Sequence, residues 1–170
     1  MRFQPFVYDN NKQKIPALIL PMTQEDADQT NASPIWQTSW TSDYLMNERF
    51  EKYAVKVDDE LIALGAYEIL KNTLVVHIVY MEAQPESNPV LDGDNPKYTE
   101  IDRLLIAYGI KLSIDYGFAG DVVLEAKTEK LARHYDQDFG AVQLPTFQSS
   151  APRYLIAYEA AKHIFFTHLI

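Results

Sequence analysis

Residues 73–81 read Thr-Leu-Val-Val-His-Ile-Val-Tyr-Met and residues 121–126 read Asp-Val-Val-Leu-Glu-Ala; between them Ile101, Leu104, Leu105, Tyr108 and Leu112 recur at i, i+3, i+4, i+7 and i+11. The first run is apolar on both alternating faces, which predicts a strand inside a sheet rather than at its edge. The middle spacing places five apolar side chains on one stripe of a helix over residues 99–116. Gly109 inside that helix costs about 1 kcal/mol relative to alanine. Gly117 and Gly120 end it, and the third run is a buried strand. A strand, a helix and a strand in this order predict a right-handed crossover between parallel neighbours.

Upstream, residues 53–57 and 61–70 flank the polar break Asp58-Asp59-Glu60 and read as an antiparallel hairpin. Residues 2–8 read as a short first strand, and the apolar stretch 15–20 before Pro21 stays open between assignments. Pro34-Ile35-Trp36 opens a predicted helix toward Arg49, with Ile35, Trp36, Trp40, Tyr44 and Leu45 near helical spacing. The i, i+4 pair Trp36 and Trp40 is read as core packing in preference to the wall of an acceptor pocket. Residues 23–34 and 86–97 are polar enough to be loops. Downstream, Thr128 caps a predicted helix over 129–138, closed by Gly140. Residues 141–144 and 153–158 are closing strands. Residues 159–169 form a terminal amphipathic helix with Ala161, Ile164, Phe165 and His168 on one side. Tyr154, Tyr158, Phe165 and Phe166 have two readings, closure of the core or the face of a homodimer.

The chain has 170 residues, 47% of them hydrophobic, enough for one domain spanning 1–170 with a core of its own. It has no cysteine, which excludes disulfides and thiol catalysis and fits a cytoplasmic protein. No apolar run reaches the roughly 18 residues of a membrane span. The formal charge of −9 repels a nucleic-acid backbone. His77 in the middle of its strand reads as a structural histidine without a partner motif. His134, His163 and His168 lack spacing that demands a metal, so none is expected.

Two segments carry a family resemblance. Glu100-Ile-Asp-Arg-Leu-Leu105, continued by residues 108–117, is similar to a Gly-x-Gly-x-x-Leu helix start. Residues 125–142, with Tyr135 and Phe139-Gly140, resemble a strand-and-helix segment ending in Ala-x-x-x-Tyr-x-x-x-Gly-Phe. With the order of elements over residues 53–144, the chain resembles the GCN5-related N-acetyltransferases. The resemblance implies an α/β fold: a mixed, mostly antiparallel sheet with one parallel β-α-β crossover, flanked by helices. It further implies acetyl-CoA as co-substrate, no metal, and a small-molecule or peptide amine as acceptor. The cofactor-binding strand end is then Met81, Glu82 and Ala83, and the pyrophosphate loop is Lys97, Tyr98, Thr99, Glu100, Ile101, Asp102 and Arg103. Glu100 and Asp102 stand where the family has glycine, each adding a Cβ and a negative charge beside phosphate, with Lys97 and Arg103 in partial compensation. The implied catalytic residues are Tyr135, which protonates the departing thiolate, and Glu82, favoured over Glu68 as the group that deprotonates the amine. The altered loop motivates the alternative of a non-catalytic member of the fold that binds a ligand or a protein.

Overall fold

The computed structural model describes residues 2–88, 95–145 and 151–170. Its elements are β1 (Phe6–Asp9), β2 (Lys14–Pro16), β3 (Leu18–Pro21), α1 (Gln24–Gln29), β4 (Phe50–Val57), β5 (Glu60–Leu70), β6 (Val75–Ala83), β7 (Tyr98–Thr99), α2 (Ile101–Asp115), β8 (Val122–Glu125), α3 (Glu129–Phe139), β9 (Val142–Leu144), β10 (Arg153–Ile156) and α4 (Tyr158–Phe166). A short 3₁₀ turn covers Pro85–Ser87. The main sheet has seven strands in the order β3-β4-β5-β6-β8-β10-β9, and a small one has the order β2-β1-β7. All pairs are antiparallel except β6 with β8, the two strands joined through α2. The fold is therefore the mixed, mostly antiparallel sheet with one parallel crossover and flanking helices that the resemblance implies.

The stretch 15–20, open in the sequence, is two strands in different sheets. β2 joins β1, and β3 joins β4, with buried Ala17 at the change of sheet. The first strand starts at Phe6, while Phe3 makes an isolated bridge to Leu169. Residues 23–34 are not wholly loop: Thr23 and Asp26 form a reciprocal capping box that starts α1. Part of the other predicted loop, residues 89–94, lies outside the described residues. Its near end is pinned, because Ser87 Oγ accepts from the Tyr98 N–H at 3.1 Å and the Glu86 carbonyl from the Lys97 N–H at 2.9 Å.

Residues 34–49 form turns rather than the predicted helix. The N–H groups a helix would use internally are taken elsewhere. The Thr30 carbonyl accepts from Trp36, the Thr30 hydroxyl from Trp40, and the Glu82 carboxylate from Gln37 and Thr38. Both tryptophans are buried all the same, in a cluster with Leu45, Phe50, Ala54 and Leu64 on one face of the sheet. On the opposite face α2 is buried over more than the predicted stripe. Ile106, Ala107 and Ile110 are covered along with Ile101, Leu104, Leu105 and Leu112 of the predicted stripe, while Tyr108 is half-buried, since α2 lies between the sheet and α4. Gly109 now has its reason: a Cβ there would meet Tyr67 Cε1 at 3.1 Å and Ile78 Cδ1 at 3.2 Å. The Tyr67 hydroxyl donates to the Leu105 carbonyl at 2.6 Å, one turn earlier in α2, which fixes that ring against the helix.

Candidate active site

The parallel pair at the centre of the sheet opens like a fork. β6 and β8 are in register only at Val76 with Val122 and His77 with Val123. Immediately beyond, β6 advances from Ile78 to Tyr80 while β5 advances one residue, from Tyr67 to Ala66, so Val79 is an extra, bulged residue. A bulge bends its strand and re-aims the side chains that follow. From there to Ala83 β6 pairs with β5 alone, and β8 continues with β10 alone, which leaves the inner edge of β6 without a strand partner among the described residues. An edge of this kind can hydrogen-bond an extended ligand. Met81 and Ala83 sit on it half-buried, with side chains packed into the core beneath, so only their backbone groups are available to such a ligand.

The second part is the start of α2, whose first N–H groups have no helical acceptors and favour negative charge. Glu100, the N-cap, has φ 66° and ψ 22°, a left-handed conformation that suits glycine, at the position where the resemblance places one. Its carboxylate does not stand alone, since Arg103 Nε donates to it at 3.1 Å. Asp102 accepts from the Arg103 N–H at 2.8 Å and lies 2.6 Å from His134 Nε2, while His134 Nδ1 meets Asp138. The hydrogen bond with Asp102, then that with Asp138, raises His134 to about 9 against the opposing effect of burial. Arg103 also lies over the Phe139 ring at 4.9 Å. α2 is thus tied to α3 by side chains across its N-terminus, and Asp102 itself occupies one amide there. Lys97 does not compensate these charges, because its Nζ binds both oxygens of Glu60 at 3.0 and 3.1 Å. Tyr98 and Thr99 are held in β7 against β1, and the Ile101 side chain is buried in the core.

Tyr135 on α3 is 5% exposed, among Phe139, Tyr154 and Leu124. Burial first, then the charges of Asp102 and Glu125, push its phenol up to about 12. No described residue hydrogen-bonds its hydroxyl, which is therefore open to solvent or a ligand while the ring is covered. Glu82, also 5% exposed, faces the other side of the sheet. Its Oε2 accepts from the N–H of Gln37 at 2.6 Å and of Thr38 at 3.3 Å, and its Oε1 from the Trp40 indole at 3.0 Å. Burial raises this carboxyl above the usual range while the three donors oppose the rise. A base at that position has to meet solvent or substrate, yet both oxygens are already engaged by protein. Tyr135 and Glu82 therefore lie on opposite faces of β6.

Two features are not legible in the sequence as it stands. His134 carries no metal-ligand spacing; its i, i+4 relation to Asp138 is the one visible signal, and its other partner, Asp102, is 32 residues away. His77 does have partners: Nε2 lies 2.7 Å from Glu125 and Nδ1 3.7 Å from Glu68, with Arg153 on Glu125 and Arg49 on Glu68. Burial acts to raise Glu125, but His77 and Arg153 outweigh it and hold the carboxyl low. Nothing local in sequence aligns these five residues, which the sheet register brings together.

This forked parallel pair beside a helix start belongs to a fold shared with solved acetyltransferases. The fold is that of the GCN5-related N-acetyltransferases. The PaiA N-acetyltransferase of Thermoplasma acidophilum in complex with coenzyme A superimposes with TM-score 0.58 at 13% identity, covering 85% of this chain and 100% of that one. The Mycobacterium smegmatis RimJ in complex with CoA-disulfide gives 0.56 at 11%, covering 98% and 94%. The ribosomal-protein-S18-alanine N-acetyltransferase of Escherichia coli gives 0.55 at 12%, covering 84% and 95%. No family model matches the sequence, and no curated protein does. Among the described residues no group of three or more His, Cys, Asp or Glu has the arrangement of a metal site, and no helix is long and apolar enough to cross a membrane.

Proposed function

We propose that this protein transfers an acetyl group from acetyl-CoA to a primary amine carried by a small molecule or peptide. The observation that carries the reading is the Tyr135 hydroxyl, held on a buried ring and engaged by no described residue, in a fold whose central strands fork. The thioester arm would lie along the free edge of β6 at Met81 and Ala83, and the phosphates near the N–H groups of Ile101 and Asp102. The neutral amine nitrogen attacks the thioester carbonyl, the C–S bond breaks with its electron pair leaving on sulfur as a thiolate, and the proton shed by nitrogen passes to solvent water. A phenol near 12 keeps its proton beside a thiolate whose acid has a pKa of about 8.5, so Tyr135 stabilises the leaving group by donating a hydrogen bond. Aminoglycoside acetyltransferase AAC(6')-Ib, crystallised with coenzyme A and kanamycin, shares the fold at TM-score 0.58 and 13% identity, which supports an amine acceptor in kind.

Coenzyme A binding tests the reading. At 100 times its dissociation constant it should stabilise the protein by about 2.7 kcal/mol in a thermal or urea titration. No shift at millimolar coenzyme A and acetyl-CoA overturns the transferase assignment. It would favour the second reading, a non-catalytic binding domain, for which the self-capping of α2 by Asp102 speaks. In a transferase assay Tyr135→Phe should lower kcat by about tenfold to a hundredfold with coenzyme A affinity retained, since only a transition-state hydrogen bond is lost.

A further inference from the structure

We propose that Glu82 is a positioning residue, which seats residues 36–40 on β6 as the acceptor-side wall of the fork, and not the base of the reaction. The proposal rests on the transferase reading for its meaning but not for its geometry. Residues 36–40 have no helix or strand of their own, yet Trp40 is fully buried. Thr30 holds the two ends through the Trp36 and Trp40 N–H groups, and what holds the middle and the Trp40 indole is a carboxylate, a group that only accepts, meeting three N–H donors on two oxygens. To act as a base, Glu82 would have to turn one oxygen into a donor facing another donor. The seat extends to the fork itself. The Thr38 and Tyr80 hydroxyls are 2.7 Å apart, and Lys127, two residues past the end of β8, lies over the Tyr80 ring at 4.8 Å. Tyr80 therefore stands between the seated segment on one side and the β8 end of the fork on the other, and an acceptor entering on this face meets Thr38 and Tyr80.

The experiment is native-state amide exchange of Gln37 and Thr38 with tryptophan fluorescence, alongside calorimetry with coenzyme A. Glu82→Gln sets an amide NH₂ against an N–H in either orientation. With NH₂ toward Gln37 and Thr38 exchange at both amides should rise at least about tenfold, and with NH₂ toward the indole the tryptophan emission should shift red. Coenzyme A affinity should stay within about twofold, because the free edge offers the backbone of Met81 and Ala83, whose side chains pack on the face opposite the Glu82 carboxylate. Adding Trp40→Phe removes the indole donor, lets the introduced amide NH₂ point into the vacated position, and should restore protection at Gln37 and Thr38. If Glu82→Gln alone does not fold, folding of the double variant answers the same question. Unchanged exchange together with unshifted emission in Glu82→Gln, or amides that stay unprotected in the double variant, overturns the seat. With primary alkylamines as probe acceptors, the seat predicts a higher KM and an unshifted pH profile, whereas loss of the acidic limb makes Glu82 the base and overturns it. Failure of the wild type to bind coenzyme A sinks the transferase reading and leaves the amide-exchange result to judge the seat.

Discussion

Glu82 and Asp102 are carboxylates at the two ends of one candidate site, and they are held by opposite means. Glu82 is 5% exposed and its partners are two backbone amides and an indole, all neutral. The Asp102 side chain is 43% exposed and its main partner is the imidazole of His134. The buried carboxylate determines shape, because nearby amides have no other acceptor once it is gone. The exposed one determines charge, because water and salt stand ready to replace its partner. One end should therefore be intolerant of substitution and indifferent to ionic conditions, and the other the reverse.

The largest expected effect follows directly. Glu82→Leu leaves three donors in a covered site without acceptors, at a cost of about 1–3 kcal/mol each before relaxation, so a loss of at least about 3 kcal/mol is expected. Asp102→Ala removes a half-exposed ion pair and should cost less than about 1 kcal/mol. Urea unfolding of the two variants checks the contrast, and equal losses would break it.

The same contrast explains what the sequence made legible. The hairpin, the crossover and α3 follow from periodicity and caps within a few residues. The Thr128 hydroxyl accepts from the Leu131 N–H and Gly140 takes a left-handed φ of 65°, as their residue types predict. The helix expected over 34–49 does not form, because its spacing is right while its backbone donors have better acceptors in Thr30 and in Glu82, the latter more than 40 residues away. The pairing of His77 with Glu125 and of His134 with Asp102 likewise depends on strand register and on α3 meeting α2, which no local pattern encodes. The position of Glu100 is legible only through the resemblance, and its left-handed backbone emerges only from the structure.

Glu100 sharpens the comparison at intermediate size. Its left-handed φ costs a residue with a Cβ about 1–2 kcal/mol relative to glycine, while its contact with Arg103 is a surface ion pair worth less than about 1 kcal/mol. Glu100→Gly loses the pair and relieves the backbone, whereas Glu100→Ala loses the pair and keeps the strain. The glycine variant should be more stable than the alanine variant by about 1 kcal/mol, read from urea midpoints. Equal midpoints would mean that the backbone relaxes out of this conformation at no cost.

Coenzyme A affinity separates charge from bulk at the same end. Gln at 100 with Asn at 102 removes both charges and keeps the side chains, while glycine at both removes the side chains as well. If charge dominates, both pairs should tighten binding by about threefold to tenfold at low salt, and the advantage should shrink as the screening length falls from about 10 Å at 0.1 M to about 3 Å at 1 M. Tightening by the glycine pair alone would assign the obstacle to sterics. Affinities equal to wild type in both pairs would mean that neither carboxylate faces the phosphates.

The smallest effect is one of pH, and it belongs to the Asp102 end alone. His134 is raised from 6.5 to about 9 by Asp102 first and Asp138 second, so the folded state binds its proton more tightly than the unfolded chain. Its contribution is fully present below about pH 6.5, declines as the unfolded imidazole deprotonates, and is gone once pH passes the folded value near 9. With the side chain one-third exposed, solvent screening limits it to under about 1 kcal/mol. The stability gap between wild type and His134→Gln should therefore close between pH 6 and pH 10. The gap between wild type and Glu82→Leu should hold over the same range, since the donors to Glu82 are backbone and indole N–H groups that do not titrate there. Paired urea titrations at the two pH values read both gaps. A His134 gap that persists at pH 10 would mean that the imidazole is held by packing against Phe139, whose ring lies 4.7 Å away, and would remove the electrostatic half of the comparison.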